Sequence, residues 1–260
     1  MRNSDKSILR WWNKVKEITE KYPLIEFDLS VYENDSTDET KKFLQTTVVE
    51  ECKNYFSDIF IKCENLETQA FGSVVSSQRV LNLANARNEC LHQCVDINSY
   101  DYFLSVEADA DFHVGTLHYL FDNIQNWDIL SGASYYPLSK GFYDCWATRR
   151  TANEDRWDKP MGRLFDPSIP LFKGPLSDLN PKSLASRIDE IVEVHSTFNL
   201  VCLYRAKPIT EGHLFGGYSQ NLDSFDCDTA VICENFRRAG YNRIGMFPYL
   251  EVFNDPDMTR

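Results

Sequence analysis

The run Tyr102-Phe-Leu-Ser-Val-Glu-Ala-Asp-Ala-Asp111 is apolar for the length of one buried strand and then ends in carboxylates at Glu107, Asp109 and Asp111. A buried charge without a partner costs several kcal/mol, so acids at the end of a buried strand must face water or a cation. Carboxylate oxygens are hard donors, and hard donors suit Mg²⁺ or Mn²⁺. Asp109 and Asp111 are two residues apart on strand and turn geometry, so both can approach one locus, with Glu107 on the same parity behind them. In isolation, a strand that merely runs out into a solvated turn would look the same. Other segments of the chain decide between these readings.

The elements that must hold these acids follow from hydrophobic spacing. Ile8, Leu9, Trp11, Trp12, Val15 and Ile18 recur at a helical period and predict an amphipathic helix over 6–21. A strand is expected over 24–32, running into the polar turn Glu33-Asn-Asp-Ser-Thr-Asp38. A helix then opens with acid in its first turn, with Ser36 or Asp38 available to cap it. The pattern repeats with a strand over 58–63, a helix over 78–95, the acidic strand over 102–107, a helix over 115–124 and a strand over 128–132. Residues 135–185 are irregular and rich in Pro, Gly, Tyr and Trp, too long for a simple connector and therefore expected to be functional. A β-pattern returns over 190–206, a helix over 226–239 closes at Gly240, and a last strand is expected over 243–253. Such alternation predicts an α/β sheet, largely parallel in its first half, with ligands beyond the carboxyl ends of the strands. Both acidic turns, 33–38 and 107–111, fall at such ends.

Four segments occur in order: Val31-Tyr-Glu-Asn-Asp-Ser-Thr-Asp-Glu-Thr40, the spaced set Arg79, Ala84, Arg87 and Asn88, the acidic run ending at Asp111, and Gly141-Phe-Tyr-Asp-Cys-Trp146. Together they resemble the GT-A class of nucleotide-sugar glycosyltransferases, and within it the capsule-associated α-mannosyltransferase type. The resemblance implies a GT-A fold, a Rossmann-like mixed α/β sheet flanked by helices, in a single domain over 1–260. It also implies a metal-dependent enzyme that moves a hexose, mannose among the candidates, from a UDP- or GDP-linked sugar to a glycan hydroxyl.

On that resemblance, Asp109 and Asp111 bind Mn²⁺ or Mg²⁺, which neutralises a diphosphate leaving group. Asp111 is the expected direct ligand, and Asp109 binds metal or ribose. Glu33 and Asp35 match the acidic turn that holds base and ribose, carboxylates being good acceptors for such hydroxyl and N–H groups. Arg87 could grip the diphosphate bidentately, with Arg79 and Asn88 on the same helix also assigned to the nucleotide sugar. Asp144 and Trp146 offer a carboxylate and an aromatic face to a sugar. Asp226 and Asp228 are the catalytic candidates. In an inverting enzyme one of them deprotonates the acceptor, whereas in a retaining one the same carboxylate positions the acceptor or stabilises charge on the sugar. His195 and His213 are candidates to complete a metal site, although a neutral, hydrogen-bonded histidine is the ordinary alternative.

Composition narrows the function classes. With 260 residues and 43% hydrophobic content the chain can bury a large core, and its net charge of -12 argues against nucleic acid or anionic membrane as a partner. No apolar run approaches the roughly 20 residues of a membrane span, and the N-terminus lacks the apolar core of a secretory signal. Eight scattered cysteines without CxxC spacing speak against structural zinc and for a reducing, cytoplasmic setting. In the resembling families a strand precedes the opening helix, and this sequence starts where that strand would have ended. The expectation is a truncated N-terminus or a sheet one strand short. Two other classes share parts of this pattern: sugar nucleotidyltransferases, whose Gly-rich basic phosphate loop is not seen here, and a non-catalytic glycan- or nucleotide-binding descendant of the enzyme.

Overall fold

A computed structural model describes residues 1–71, 76–94, 96–138, 141–151 and 180–254. Much of the long irregular segment expected over 135–185, namely 152–179, lies outside the described residues.

The opening helix, α1 (Ile8–Lys21), forms as its apolar spacing predicts, with Ile8, Trp11, Trp12, Val15 and Ile18 all buried. Its aromatic face covers a parallel pair, β1 (Leu29–Asn34) and β2 (Ile59–Glu64), through a cluster that includes Leu29, Val31 and Leu44. The helix between these strands starts as α2 (Thr40–Phe43), widens through a π turn at Leu44–Val48 and ends as α3 (Val49–Glu51). Asp38 caps it, its carboxylate accepting from the N–H of Thr40.

The main sheet holds β3 (Tyr102–Val106), β4 (Ala110–Phe112), β5 (Ile129–Tyr135), β6 (Val192–Glu193), β7 (Val201–Arg205) and β10 (Ile244–Asn254). Its order is β3-β7-β5-β10-β4, with β6 also paired to β10. Among the described residues of this sheet, β5 and β10 are the one parallel pair; β3 and β5 both pair antiparallel with β7. The expectation of a largely parallel first half therefore holds for β1 and β2 but not for β3 and β5. A strand from much later in the chain inserts between those two, and spacing along 102–132 carries no trace of it.

Gly132 sits where β10 loses its register, four residues from Phe247 to Leu250 standing between the pairs Met246–Ser131 and Glu251–Ala133. A Cβ at Gly132 would lie 2.7 Å from the Leu250 carbonyl, so the close approach requires glycine. Pro248 falls inside this irregularity, the one kind of place where a paired strand tolerates proline.

Two helices frame the site. α4 (Ser77–His92) begins at Ser76, whose hydroxyl accepts from the N–H of Arg79, and packs on β1. Beyond it in sequence lie α5 (His118–Asn123), the short α6 (Ala206–Thr210) and the hairpin of β8 (Tyr218–Ser219) and β9 (Ser224–Phe225). α7 (Asp228–Arg238) is buried along most of its length, with acid in its first turn, Arg237 and Arg238 in its last, and Gly240 at φ 92 just beyond its end, as expected. Glu234, buried in this helix, accepts from the Ser219 hydroxyl and from the N–H groups of Gln220 and Asn221, tying the hairpin loop down. Among the described residues no helix is long and apolar enough to cross a membrane.

Candidate active site

The acidic turn is anchored on both sides. Glu107 donates its N–H to the carbonyl of Leu200 (3.0 Å), and Ala110 donates back to Glu107 (3.1 Å), closing a turn that carries Asp109. β4 then pairs antiparallel with the end of β10, Asp111 opposite Phe253 and Ala110 opposite Asn254. Asp109 accepts from the side-chain amide of Asn254 at 2.9 Å. Asp111 is 43% exposed, has the Lys14 ammonium 3.3 Å away, and lines a cleft of about 330 Å³ with His113, Tyr249, Glu251 and Phe253.

Tyr143 precedes Asp144 in the segment after β5. Burial raises the pKa of its phenol, Asp109 and Asp144 add to the rise, and Arg79 opposes it. The charges acting on this phenol thus come from α4, the acidic turn and the segment after β5. Tyr143 meets Tyr136 edge to face at 5.0 Å. One carboxylate oxygen of Asp144 accepts from the N–H of Asn199 at 2.7 Å.

Other predicted site residues are joined to each other or to the frame. Arg87 is sandwiched against the rings of Phe198 (4.5 Å) and Phe215 (5.6 Å) and pairs with both Glu107 and Asp228, the latter at 2.7 Å. Burial alone would lower the pKa of its guanidinium, and the two carboxylates reverse that, so the charge is firmly retained. Asn88 clamps the backbone of Phe215, donating to its carbonyl and accepting from its N–H. Asp226 and Asp228 are two apart in sequence and turn to different partners. Asp226 is buried, accepts from the indole N–H of Trp146 and pairs with Arg149, while Asp228 belongs to Arg87.

The first acidic turn is built differently. Glu33 is fully buried; it accepts from the N–H of Ser36 and has Lys41 at 3.5 Å. Asp35 sits at φ 61 and accepts from the N–H groups of Leu66, Glu67 and Thr68, the Thr68 hydroxyl and the Asn34 amide. Desolvation acts to raise its pKa, but the bonds from the Thr68 hydroxyl and from these backbone N–H groups win, holding it well below the usual carboxylate range. Asp35 thus serves the loop after β2, whereas Glu33 gives one oxygen to its own turn and keeps the other, Oε2, buried without a hydrogen bond beside Lys41.

Among the described residues no three His, Cys, Asp or Glu side chains converge as a metal cage. Asp109 and Asp111 nevertheless supply the donor chemistry Mg²⁺ or Mn²⁺ requires, since such ions commonly take only one or two protein carboxylates and complete their shell with water and substrate phosphates. His195 lies elsewhere: burial and then Arg237 and Arg149 push it down to about 4, a cationic setting unsuited to a metal. His213 donates its backbone N–H to the Pro208 carbonyl near α6.

Sequence reasoning did not single out Tyr143, Arg149, Asn199 or Asn254. Tyr143 lies within a segment that was flagged, next to Asp144, but Arg149, Asn199 and Asn254 owe their positions to contacts across 77, 55 and 145 residues. No local pattern announces those.

A mixed sheet with helices packed against it and acids at the carboxyl end of its strand β3 defines the GT-A class of nucleotide-diphospho-sugar transferase folds. The chain matches the family described as cryptococcal mannosyltransferase 1 over residues 1–235, and it belongs to that family of glycosyltransferases. Among solved structures it is similar to the crystal structure of S. aureus TarS 1-349, with a TM-score of 0.51 and 18% identity, a likeness that speaks to the fold alone. The match covers 98% of this chain and 58% of that one, so the chain spans little more than half the length of its structural neighbour. No curated protein matches it.

Proposed function

We propose that this chain is the catalytic domain of a metal-dependent hexosyltransferase that moves a hexose, mannose being the sugar its family name suggests, from a UDP- or GDP-linked donor to a glycan hydroxyl. The observation that carries the reading is the acidic turn at the carboxyl end of β3, where open α/β sheets bind ligands: it is anchored at Leu200, Asp109 accepts from Asn254, and Asp111 lines a cleft.

In this reading Asp109 and Asp111 would hold Mg²⁺ or Mn²⁺, which when bound would supply positive charge for a diphosphate leaving group. Asn254 orients Asp109, and Lys14 keeps Asp111 from facing its acidic neighbour Glu251 without a counter-charge. Arg79 supplies positive charge beside Asp109 for the phosphates. Tyr143 and Asp144 meet the sugar, an aromatic face with a carboxylate being the combination sugars favour. Trp146 acts one step back, its indole N–H fixing Asp226.

Arg87 is assigned a bracing role, since its guanidinium already spans Glu107 and Asp228. Asn88 braces the loop at Phe215, and Glu33 and Asp35 frame the nucleotide pocket through the backbone of their turn. Asp226 and Asp228, at the start of α7, remain the carboxylates nearest to acid–base work; engaging an acceptor requires each to share its guanidinium partner with the substrate.

The test is thermal stability against UDP, GDP and their sugars, each with and without Mn²⁺. Binding to the folded state at a hundredfold excess over the dissociation constant adds about 2.7 kcal/mol. A shift for one nucleotide that requires Mn²⁺, lost in Asp111→Asn, supports the reading. No shift with any nucleotide overturns it.

A further inference from the structure

Asn199 and Leu200 are consecutive and both left-handed, at φ 57 and φ 65. Asparagine tolerates this region, whereas leucine is a true outlier there, so the surrounding structure must enforce the pair. It does so through the Asn199 carboxamide, which is fully buried. The oxygen accepts from the N–H (3.0 Å) and hydroxyl (2.8 Å) of Ser134 on β5. The nitrogen reaches the hydroxyls of Thr197 (2.8 Å), Ser131 (3.3 Å) and Thr148 (3.4 Å). β5, the segment after Trp146 and the entry to β7 thus meet at one side chain.

The two backbone groups of this corner that point outward lead to the proposed site. The N–H of Asn199 donates to Asp144, and the carbonyl of Leu200 accepts from Glu107, the first residue of the acidic turn. We infer that Asn199 is a positioning residue: its carboxamide locks the left-handed corner, and the corner sets Asp144 on one side and the turn carrying Asp109 on the other. The effect on transfer rests on the reading of the site given above; the effect on the turn does not.

A purely packing role would loosen the core evenly, whereas a positioning role loosens these two places first. The whole chain is therefore compared with Asn199→Gly, which keeps the positive φ without strain and deletes the carboxamide. Thr148→Val is a milder variant that removes one partner of the carboxamide nitrogen and serves should the glycine variant fail to fold. Amide hydrogen exchange is read at Glu107 and Ala110, and at Trp11 and Val15 in α1 as remote references.

The expected result is a loss of protection at Glu107 and Ala110 at least tenfold greater than at the α1 amides in Asn199→Gly, and about two- to threefold greater in Thr148→Val. Equal loss at all four amides, or none at Glu107, overturns the proposal. Donor kcat/KM, measured well below each variant's melting point, is expected to fall at least tenfold in Asn199→Gly. Selective loosening with unchanged kcat/KM supports the positioning role and counts against the acidic turn as the donor site.

Discussion

The chain carries two acidic turns at the carboxyl ends of strands, and they use their carboxylates in opposite ways. After β1, Asp35 accepts from three backbone N–H groups, a hydroxyl and an amide, and Glu33 is fully buried beside Lys41. After β3, Asp109 accepts from the side-chain amide of Asn254, and Asp111 stands half exposed in a cleft. In the first turn Asp35 is spent on the backbone of the loop after β2, while Glu33 keeps one buried oxygen without a hydrogen bond. The second turn directs its acids toward a space a ligand can enter. Acids at a strand end therefore do not define a site; what matters is whether the backbone around them has already taken their lone pairs.

The strongest way to break this contrast is at the root of the second turn. Arg87→Ala leaves Asp228 buried without its guanidinium and Glu107 without its partner, and it is expected to cost about 3–5 kcal/mol in chemical denaturation. A loss below about 1 kcal/mol would show that Arg87 does not brace the turn and is available for phosphate.

Next in size is Asp111→Asn. Removing one charge from an exposed carboxylate should leave the unfolding free energy within about 0.5 kcal/mol, yet lower hexosyl transfer at least a hundredfold, about 2.7 kcal/mol in the barrier. Normal transfer by this variant would place the metal elsewhere. Asp35→Ala should do the reverse. Losing the acceptor for the 66–68 loop is expected to destabilise by about 1–2 kcal/mol, with transfer per folded molecule changed less than threefold. A large loss of nucleotide affinity at unchanged stability would return Asp35 to the role of direct ligand.

The smallest effect separates the turns from the rest of the protein by pH. His195 in the unfolded chain takes a proton near 6.5, but the folded protein resists until about 4. Between those values the unfolded state binds more protons, so stability falls as pH drops from about 6.5 towards 4. Asp35, held below the usual carboxylate range, keeps its contribution throughout that window and loses it only at more acidic pH. Melting curves of the wild type and His195→Gln from pH 7 to pH 4 check this, the variant being expected to show the flatter slope.

Much of the architecture was legible in the chain. The spacing of Trp11, Trp12 and Val15 has the period of a one-sided helix, and the run Tyr102–Val106, too short for a helix and rich in β-formers, has the length of a strand. The bond from the Thr40 N–H to Asp38 and the closure of α7 at Gly240 follow from local chemistry. The insertion of β7 between β3 and β5 did not follow, since strand order is a matter of long-range pairing that local periodicity does not encode.

The site divides along the same line. Residue types by themselves determined that Glu107, Asp109 and Asp111 end a strand, that aromatic residues accompany Asp144, and that the chain has the motif order of a GT-A glycosyltransferase; that this strand is half-buried and not buried as expected is set by its place at the end of the sheet order. Only the tertiary structure decided which partners each acid meets. Asp226 and Asp228 look equivalent in sequence, but Arg149 and Trp146 hold one and Arg87 the other. Asp35 and Asp109 look equivalent as well, yet the loop after β2 supplies N–H donors to the first and the end of β10 supplies a side-chain amide to the second. Hydrogen-bond capacity is consumed by whatever the fold brings within about 3 Å, and that is set by contacts between segments far apart in the chain.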